Sequence, residues 1–150
     1  MAYKGEYRGK PRTREDWREM AVKSHLCTAC LFSQSAKWDG DCPKCKAPQA
    51  NREYMPSRAE LNRAAGLVLL ARKGQITRLK FHPRYDLKVN GVKVCTYEAD
   101  AEYMENGKVI VEDTKPEGDF MEETAKLKIA LFNALHLKFN IKVRIYRSTK

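Results

Sequence analysis

The feature that most constrains the fold is a pair of apolar-rich segments joined by the dipeptide Asn106-Gly107. Asn-Gly strongly favours two-residue β-hairpins, so the flanking segments are predicted to be antiparallel neighbours. The first segment carries Asp100, and the second carries Asp113 and Lys115. Because side chains two apart on a strand share a face, Asp113 and Lys115 should project together, about 7 Å apart along the chain. The hairpin could therefore bring Asp100 and Asp113 to one divalent cation, with Lys115 beside it.

Each acidic residue of this hairpin has a structural alternative. Asp100 could be an ordinary solvent-facing acid, since Glu98 and Glu102 lie on the same face of the predicted strand. Two carboxylates directed at one point repel each other unless a cation lies between them, which favours the metal interpretation for Asp100 and Asp113 together. Glu112 is the alternative to Asp113, but in a regular strand it points to the opposite face. Asp113 is therefore preferred.

Four of the five cysteines form two Cys-x2-Cys pairs, and this spacing favours a metal over disulfides. Each pair directs two thiolates to one point, and two pairs complete a tetrahedral zinc site. One structural zinc is preferred to unpaired thiols or a redox pair. Cys95 is expected to be a small buried residue, and His25 a surface histidine because four thiolates need no fifth ligand. The predicted zinc ligands are Cys27, Cys30, Cys42 and Cys45.

The charge balance points to a polyanionic partner. The 150 residues include 29 Lys and Arg against 19 Asp and Glu, a net charge of +10. Nucleic acid is preferred to an acidic membrane, since the sequence has no long amphipathic basic helix. The longest apolar run, about residues 64–71, is too short to span a membrane, and the first residues have no apolar signal core. We therefore expect a cytoplasmic protein with no membrane partner.

The chain divides into three predicted parts. Residues 1–24 are expected to form a basic arm and a short helix, and residues 25–50 a zinc segment stabilised mainly by its metal. Residues 55–150 form the main domain, for which we predict an α/β (α+β) class and the order helix, three strands, helix, strand. The expected elements are a helix from Ser57 to Lys73-Gly74, extended segments at about 76–81, 85–89 and 92–104, a strand at 108–115, a helix that begins at Asp119, and a strand at 141–146.

This order and the acidic positions resemble the PD-(D/E)XK nuclease superfamily, and more closely a group of small phage-encoded proteins within it that are grouped with Holliday-junction endonucleases. The resemblance covers about residues 55–146 and leaves out the cysteine segment. It departs from the usual pattern at Ala99, where the superfamily often has a proline that varies widely. The segments that carry the resemblance are 57–63, 99–100, 111–115 and 126–128.

The resemblance implies an αβββαβ nuclease core with a mixed sheet flanked by helices, and a divalent-metal-dependent endonuclease activity. Asp100 and Asp113 would bind Mg²⁺ (or Mn²⁺), and Lys115 would hold the attacking water. Glu60 would be a further catalytic and metal-binding residue. Glu60 also has a structural explanation, because Ser57 and Glu60 form a capping-box pattern at the start of the first helix.

Basic residues are assigned to nucleic-acid binding. Lys126 and Lys128 lie on the second predicted helix, and because they are two apart only one of them can face the scissile phosphate. Lys44, Lys46 and Arg52 lie in or near the zinc segment and would extend the contact surface. His82 and His136 belong to no triad pattern and are interpreted as structural or surface residues.

The expected substrate is branched or otherwise structured DNA, and junction resolution would require a symmetric homodimer with two active sites. The expected setting is a phage protein acting in the cytoplasm of a bacterial host, without an organic cofactor. Two alternatives remain open. One is a non-catalytic zinc-ribbon nucleic-acid adaptor, and the other is a nuclease acting on single-stranded DNA, RNA or a specific duplex sequence.

Overall fold

The computed structural model describes residues 23–115 and 121–148. The predicted basic arm and short helix lie almost wholly outside the described residues, as does Asp119. Neither of the two helices below is long and apolar enough to cross a membrane. The helices are α1 (Arg58–Arg72) and α2 (Glu123–Leu135), and the strands are β1 (Ser24–Cys27), β2 (Ser33–Gln34), β3 (Arg52–Met55), β4 (Thr77–Phe81), β5 (Arg84–Val89), β6 (Val92–Glu98), β7 (Ala101–Glu105), β8 (Lys108–Lys115) and β9 (Val143–Arg147).

A four-stranded mixed sheet of order β4-β7-β8-β9 forms the centre of the main domain. β4, β7 and β8 pair antiparallel, whereas β9 pairs parallel to β8. A parallel neighbour needs a crossover connection, and α2 supplies it. The predicted α+β class with a mixed sheet is confirmed at this level.

The predicted turn at Asn106-Gly107 forms, and a second Asn-Gly dipeptide forms a turn of the same kind. Asn90-Gly91 joins β5 to β6 and Asn106-Gly107 joins β7 to β8, with all four residues at φ between 50° and 80°. Two consecutive residues with positive φ are what a type I′ turn requires, and Asn and Gly tolerate them best. Helix α1 also keeps its predicted limits, since Ser57 is its N-cap and Gly74 follows its end with φ of 72°.

The single strand predicted at about 92–104 is wrong in one respect, because it is two strands interrupted at Ala99-Asp100. The neighbouring chain is interrupted opposite, at His82-Pro83 between β4 and β5. The His82 amide donates to the Asp100 carbonyl and the Ala99 amide donates to the Pro83 carbonyl, both at 3.1 Å. Pro83 has no N–H for a regular ladder. The paired chains therefore leave the four-stranded sheet together, and β5-β6 continues as a separate two-stranded sheet.

Each face of the central sheet has its own core. On one face, Leu67 of α1 packs with buried Tyr103 and Ala101 of β7. On the other, α2 and the β5-β6 sheet bury Phe132 and Ile129. The apolar stripe that the sequence suggests for this helix forms only in part: Leu131 and Leu135 pack against this core, whereas Leu127 is 71% exposed. Apolar residues of α2 occur on every side of the helix, so their spacing alone could not identify the buried face. The predicted stripe comprised Leu127, Ala130, Leu131, Ala134 and Leu135.

Residues 24–55, called the cysteine segment below, form a three-stranded sheet of order β2-β1-β3 that extends beyond the predicted range 25–50. It is attached to the main domain by an apolar cluster in which Leu26 of β1 and Met55 of β3 pack on Ala64 of α1. Arg72, at the end of α1, donates hydrogen bonds to the carbonyl oxygens of Thr28 and Ala29 beside the first cysteine pair. The segment therefore contacts the middle and the C-terminal end of α1.

Candidate metal centre and active site

The predicted acidic residues meet where the two chains leave the sheet. β7 pairs with β8 only as far as Ala101 opposite Glu112. Asp100 then continues the ladder with its own groups, because its amide donates to the Glu112 carbonyl at 3.0 Å and its Oδ2 accepts the Thr114 amide at 2.5 Å. The interruption between β6 and β7 thus fixes the Asp100 carboxylate against β8.

Asp113 and Lys115 share one face of β8, as expected for side chains two apart. Lys115 Nζ lies 3.0 Å from Asp113 Oδ2, and their side chains are only 22% and 7% exposed. Glu112 points to the opposite face, as the sequence reasoning expected, and its side chain is fully buried. There Arg63 of α1 makes a two-point contact with Glu112 at 2.6 and 2.9 Å, and the Tyr103 hydroxyl donates at 2.7 Å. The contacts of the Glu112 carboxylate with Arg63 and Tyr103 therefore give it a structural role.

Glu60 lies in the first turn of α1 and divides its two oxygens between two roles. Ser57 Oγ accepts the Glu60 amide at 3.2 Å and donates its hydroxyl to Glu60 Oε1 at 3.1 Å. Glu60 Oε2 is buried and has no hydrogen-bond partner among the described residues. Capping and ligand binding are therefore compatible in this geometry, since different atoms of Glu60 serve them.

His82 is the residue that sequence reasoning missed. One ring nitrogen of His82, one carboxylate oxygen of Glu60 and one of Asp100 all lie within 4.8 Å of one another, close enough to hold a metal ion. Asp113 lies outside that three-residue set, although its charge acts on both acids. The described residues thus offer a mixed oxygen and nitrogen donor set.

The sequence contains no signal for His82, because its partner depends on the register of the β5-β6 hairpin. Counting outward from Asn90-Gly91 without irregularity would place His82 opposite Ala99. The register shifts by one residue between Leu87 and Lys88, and beyond that shift His82 lies opposite Asp100. A β-bulge of this kind shifts every cross-strand residue pair beyond it by one residue, and the pattern of apolar residues in the sequence does not reveal it.

The electrostatics of the cluster are those of crowded carboxylates. Burial, followed by the charges of Glu60 and Asp113, raises the pKa of Asp100 to about 8, although the Thr114 amide opposes the shift. Burial likewise raises the pKa of Glu60, against the lowering effect of Ser57, His82 and Lys115. A cation among these groups would remove the repulsion and return the carboxylates to the ionised form.

Tyr97 adds a buried hydroxyl to this region. The residue is 4% exposed, and its hydroxyl has no hydrogen-bond partner within the described part of the chain. Burial and then the charges of Asp113 and Asp100 raise the pKa of Tyr97, so the hydroxyl lies within electrostatic reach of both carboxylates. Together with Glu60 Oε2, it gives the site two buried polar atoms that a polar ligand could satisfy. The donor set of Glu60, Asp100 and His82 fits a divalent cation.

The four predicted zinc ligands come together as a second candidate metal site. Cys27 and Cys45 have sulfurs 3.8 Å apart, and so do Cys30 and Cys42. A tetrahedral ion with Zn–S bonds of about 2.3 Å separates its sulfurs by roughly 3.8 Å. The cluster therefore has the dimensions of a four-thiolate site, and it could hold a structural metal such as zinc.

The two cysteine pairs have the same local backbone. In the first, the Cys27 amide donates to the Phe32 carbonyl, and the Leu31 amide donates back to the Cys27 carbonyl, both at 2.8 Å. The residue after each pair has φ near 62°. These bonds form two knuckles that direct sulfurs inward; in the second, the Cys42 amide bonds to Ala47 and the Lys46 amide to Cys42.

The thiols respond unequally to this packing. Burial raises the pKa of Cys30 to about 12, so a thiolate there needs a cation beside it. Burial also disfavours the Cys42 thiolate, but hydrogen bonds from the Cys45 and Lys44 backbone outweigh it and lower the pKa of Cys42 to about 6. Metal binding would deprotonate both thiols. Cys95, outside the cluster, is half-buried, in partial agreement with its expected burial.

The basic residues assigned to nucleic acid lie in different settings. Lys44 and Lys46 are exposed on the second knuckle. Arg52 donates to the Trp38 carbonyl and lies 5.9 Å from the centre of the Trp38 ring, so it also has a structural role in the cysteine segment. On α2, Lys126 is exposed and pairs with Glu123 at 2.9 Å, whereas Lys128 is half-buried. Their roles in binding stay predictions.

Comparison of the chain with protein-family models, with curated proteins and with solved structures found no match.

Proposed function

We propose that the protein is a divalent-metal-dependent endonuclease that hydrolyses phosphodiester bonds in DNA, with branched or otherwise structured DNA as its substrate. The observation that carries the proposal is the convergence of Glu60, Asp100 and Asp113 with Lys115 in a largely buried cluster. A lysine beside carboxylates whose mutual repulsion calls for a cation is the combination that phosphodiester hydrolysis needs. The arrangement also agrees with the PD-(D/E)XK resemblance in the same residues.

Each residue has a distinct role in this proposal. Glu60 and Asp100, with Asp113 nearby, would hold the ion, which supplies Lewis-acid polarisation of the phosphodiester and a lowered pKa for bound water. The Thr114 amide orients Asp100, and the Ser57 hydroxyl orients Glu60. Lys115 would position the attacking water and offset the charge that develops on the phosphoryl oxygens.

A nucleic-acid substrate is favoured because the chain carries a net charge of +10 although its candidate site is acidic, and the choice of DNA follows the PD-(D/E)XK resemblance. The excess positive charge would neutralise backbone phosphates around the site, so that binding weakens steeply with salt. Lys44 and Lys46 would contribute from the knuckle, and Lys126 or Lys128 from α2. Zinc in the four-cysteine site would be structural.

The experiment is a cleavage assay on a four-way junction, linear duplex, single-stranded DNA and RNA, with Mg²⁺ and without divalent ions. We expect Mg²⁺-dependent cutting that is fastest on the junction. Asp100→Asn should lose it, while the matched control Glu98→Gln should keep it because Glu98 is exposed and pairs with Arg84. Tight DNA binding without cleavage of any substrate would reject the nuclease in favour of the zinc-ribbon adaptor.

A further inference from the structure

His82 has features that an ordinary core or surface histidine does not need. Its Nε2 lies 2.7 Å from the carbonyl oxygen of Tyr54 in β3. A carbonyl oxygen can only accept, so Nε2 carries the proton and, in the neutral ring, Nδ1 keeps the free lone pair. Metal-binding histidines are characteristically held in this way, with one nitrogen donating to a backbone carbonyl and the other bound to the ion.

The backbone also holds His82 against the candidate site. Its φ is 50°, in the left-handed region that few non-glycine residues adopt. The same residue donates its amide to the carbonyl oxygen of Asp100, so the two residues lie side by side at the interruption of the strands. The nearby carboxylate oxygen Glu60 Oε2 is buried and has no hydrogen-bond partner among the described residues.

We propose that His82 is a ligand of the active-site metal through Nδ1, together with Glu60 and Asp100, and that the cysteine segment orients this ligand through the Tyr54 carbonyl. The inference rests on the proposed function for its meaning in catalysis. It changes the expected metal, because imidazole binds Mn²⁺ and later divalent metals better than Mg²⁺, which prefers oxygen ligands alone. The site is then selective for Mn²⁺ over Mg²⁺.

The proposed ligation by His82 also gives the cysteine segment a second role. Tyr54 belongs to β3, which pairs with β1, and β1 ends at the first cysteine of the cluster. A metal in the four-cysteine site would therefore stabilise the strand whose carbonyl fixes the His82 ring. Outer contacts of this type are typically worth about 10–100-fold in metal affinity.

The test uses Mn²⁺ itself on the full chain loaded with zinc, and its main readout is spectroscopic. Pulsed electron paramagnetic resonance of bound Mn²⁺ detects a directly coordinated imidazole nitrogen by its ¹⁴N modulation. We expect this modulation in the wild-type protein and its loss in His82→Gln. Absence of ¹⁴N modulation from Mn²⁺ bound to the wild-type protein overturns the proposal, whatever the variant does.

Affinity supplies the second measurement. His82→Gln should lower Mn²⁺ affinity by roughly 10-fold or more and Mg²⁺ affinity by less. His136→Gln is the matched control, because His136 is also half-buried and its Nδ1 bonds to the Phe132 carbonyl at 2.8 Å. Equal loss in both variants would overturn the assignment.

The outcomes separate this inference from the nuclease itself. If Mn²⁺ binds through His82 and no nucleic acid is cleaved, the inference stands and the proposed activity falls. If Mg²⁺-dependent cleavage occurs and the ¹⁴N signal is missing, the activity stands and His82 is no ligand. If neither ion binds, both are rejected.

Discussion

The ammonium group of Lys115 lies 3.0 Å from Oδ2 of Asp113, and both side chains are largely buried. The same β8 strand carries Glu112 on its other face, so alternation along one strand separates the proposed catalytic pair from an acid held in a buried ion pair. Asp113 and Glu112 therefore have different surroundings because successive side chains of a strand point to opposite faces of the sheet.

The first prediction is that Lys115→Ala and Asp113→Asn lose cleavage but retain DNA binding. Removing a group that stabilises charge in the transition state typically costs about 10²–10³ in kcat. Single-turnover cleavage and a binding titration on the same junction measure the two effects separately. Lys108→Ala, at the exposed start of the same strand, is the control. Wild-type turnover by Lys115→Ala would remove Lys115 from the site.

Much of this site could be read from the sequence because it depends on local rules. Two Asn-Gly turns fixed the hairpins, strand alternation placed Asp113 and Lys115 together, and Ser57 marked the start of α1. Each of these signals acts over a few residues, where backbone sterics leave few choices.

The remaining features depended on long-range geometry. His82 could not be placed opposite Asp100, because a register shift near Leu87 decides their pairing. The buried face of α2 packs against the β5-β6 sheet, which separates from the central sheet where the strands are interrupted at Ala99-Asp100. Tertiary packing selected among faces that the apolar pattern alone left equivalent.

The second prediction separates the two roles of the α1 N-terminus. Ser57→Ala removes a cap and should cost about 1 kcal/mol of unfolding free energy. Glu60→Gln should lose Mn²⁺ affinity and cleavage instead. Its stability without divalent ions should be unchanged or higher, because burial raises the pKa of Glu60 and disfavours its charge. Urea denaturation and metal titration of both variants make the comparison. A Glu60→Gln protein that is destabilised yet fully active would show that Glu60 only caps.

The third prediction concerns the buried ion pair between Arg63 and Glu112. Arg63→Ala leaves the fully buried Glu112 without its counter-charge, which should cost about 3–5 kcal/mol of unfolding free energy. Replacing both residues, as Arg63→Met with Glu112→Gln, should cost less because no charge stays buried. Urea denaturation of Arg63→Met, of Glu112→Gln and of the double variant gives the coupling. If the double variant is less stable than Arg63→Ala alone, the pair is not the source of the loss.

The fourth prediction is a pH dependence with a defined sign. The pKa of Asp100 is raised from its ordinary value to about 8, so the folded protein holds a proton that the unfolded chain has released. Without divalent ions, stability should therefore fall as pH rises from 6 to 8. Asp100→Asn should reduce this slope, and Mn²⁺ should abolish it by stabilising the carboxylate. Melting temperatures at several pH values test this, and a wild-type protein that becomes more stable over this range would contradict it.

The last prediction is that each chain binds one zinc ion at Cys27, Cys30, Cys42 and Cys45, and that this ion does not exchange with the active-site metal. Four thiolates hold zinc more strongly than two carboxylates with one imidazole do, so stoichiometric zinc should occupy the cysteine site and stay there. Metal analysis of protein purified under reducing conditions should find one zinc. Absence of stoichiometric zinc, or its full retention in a Cys27→Ser/Cys42→Ser variant, would show that the assignment is wrong.

The same substitution tests how the cysteine segment acts on the rest of the chain. Cys42→Ser should disorder β1 to β3 and weaken DNA binding, but the cores on both faces of the central sheet contain no residue of that segment and should stay folded. Because β3 carries the Tyr54 carbonyl that holds His82, Mn²⁺ affinity should fall as well. Cys95→Ser, outside the cluster, is the control and should change neither. Amide hydrogen exchange resolves the outcomes: loss of protection in β7 and β8 together with β1 would mean that the main domain depends on the zinc segment for its folding.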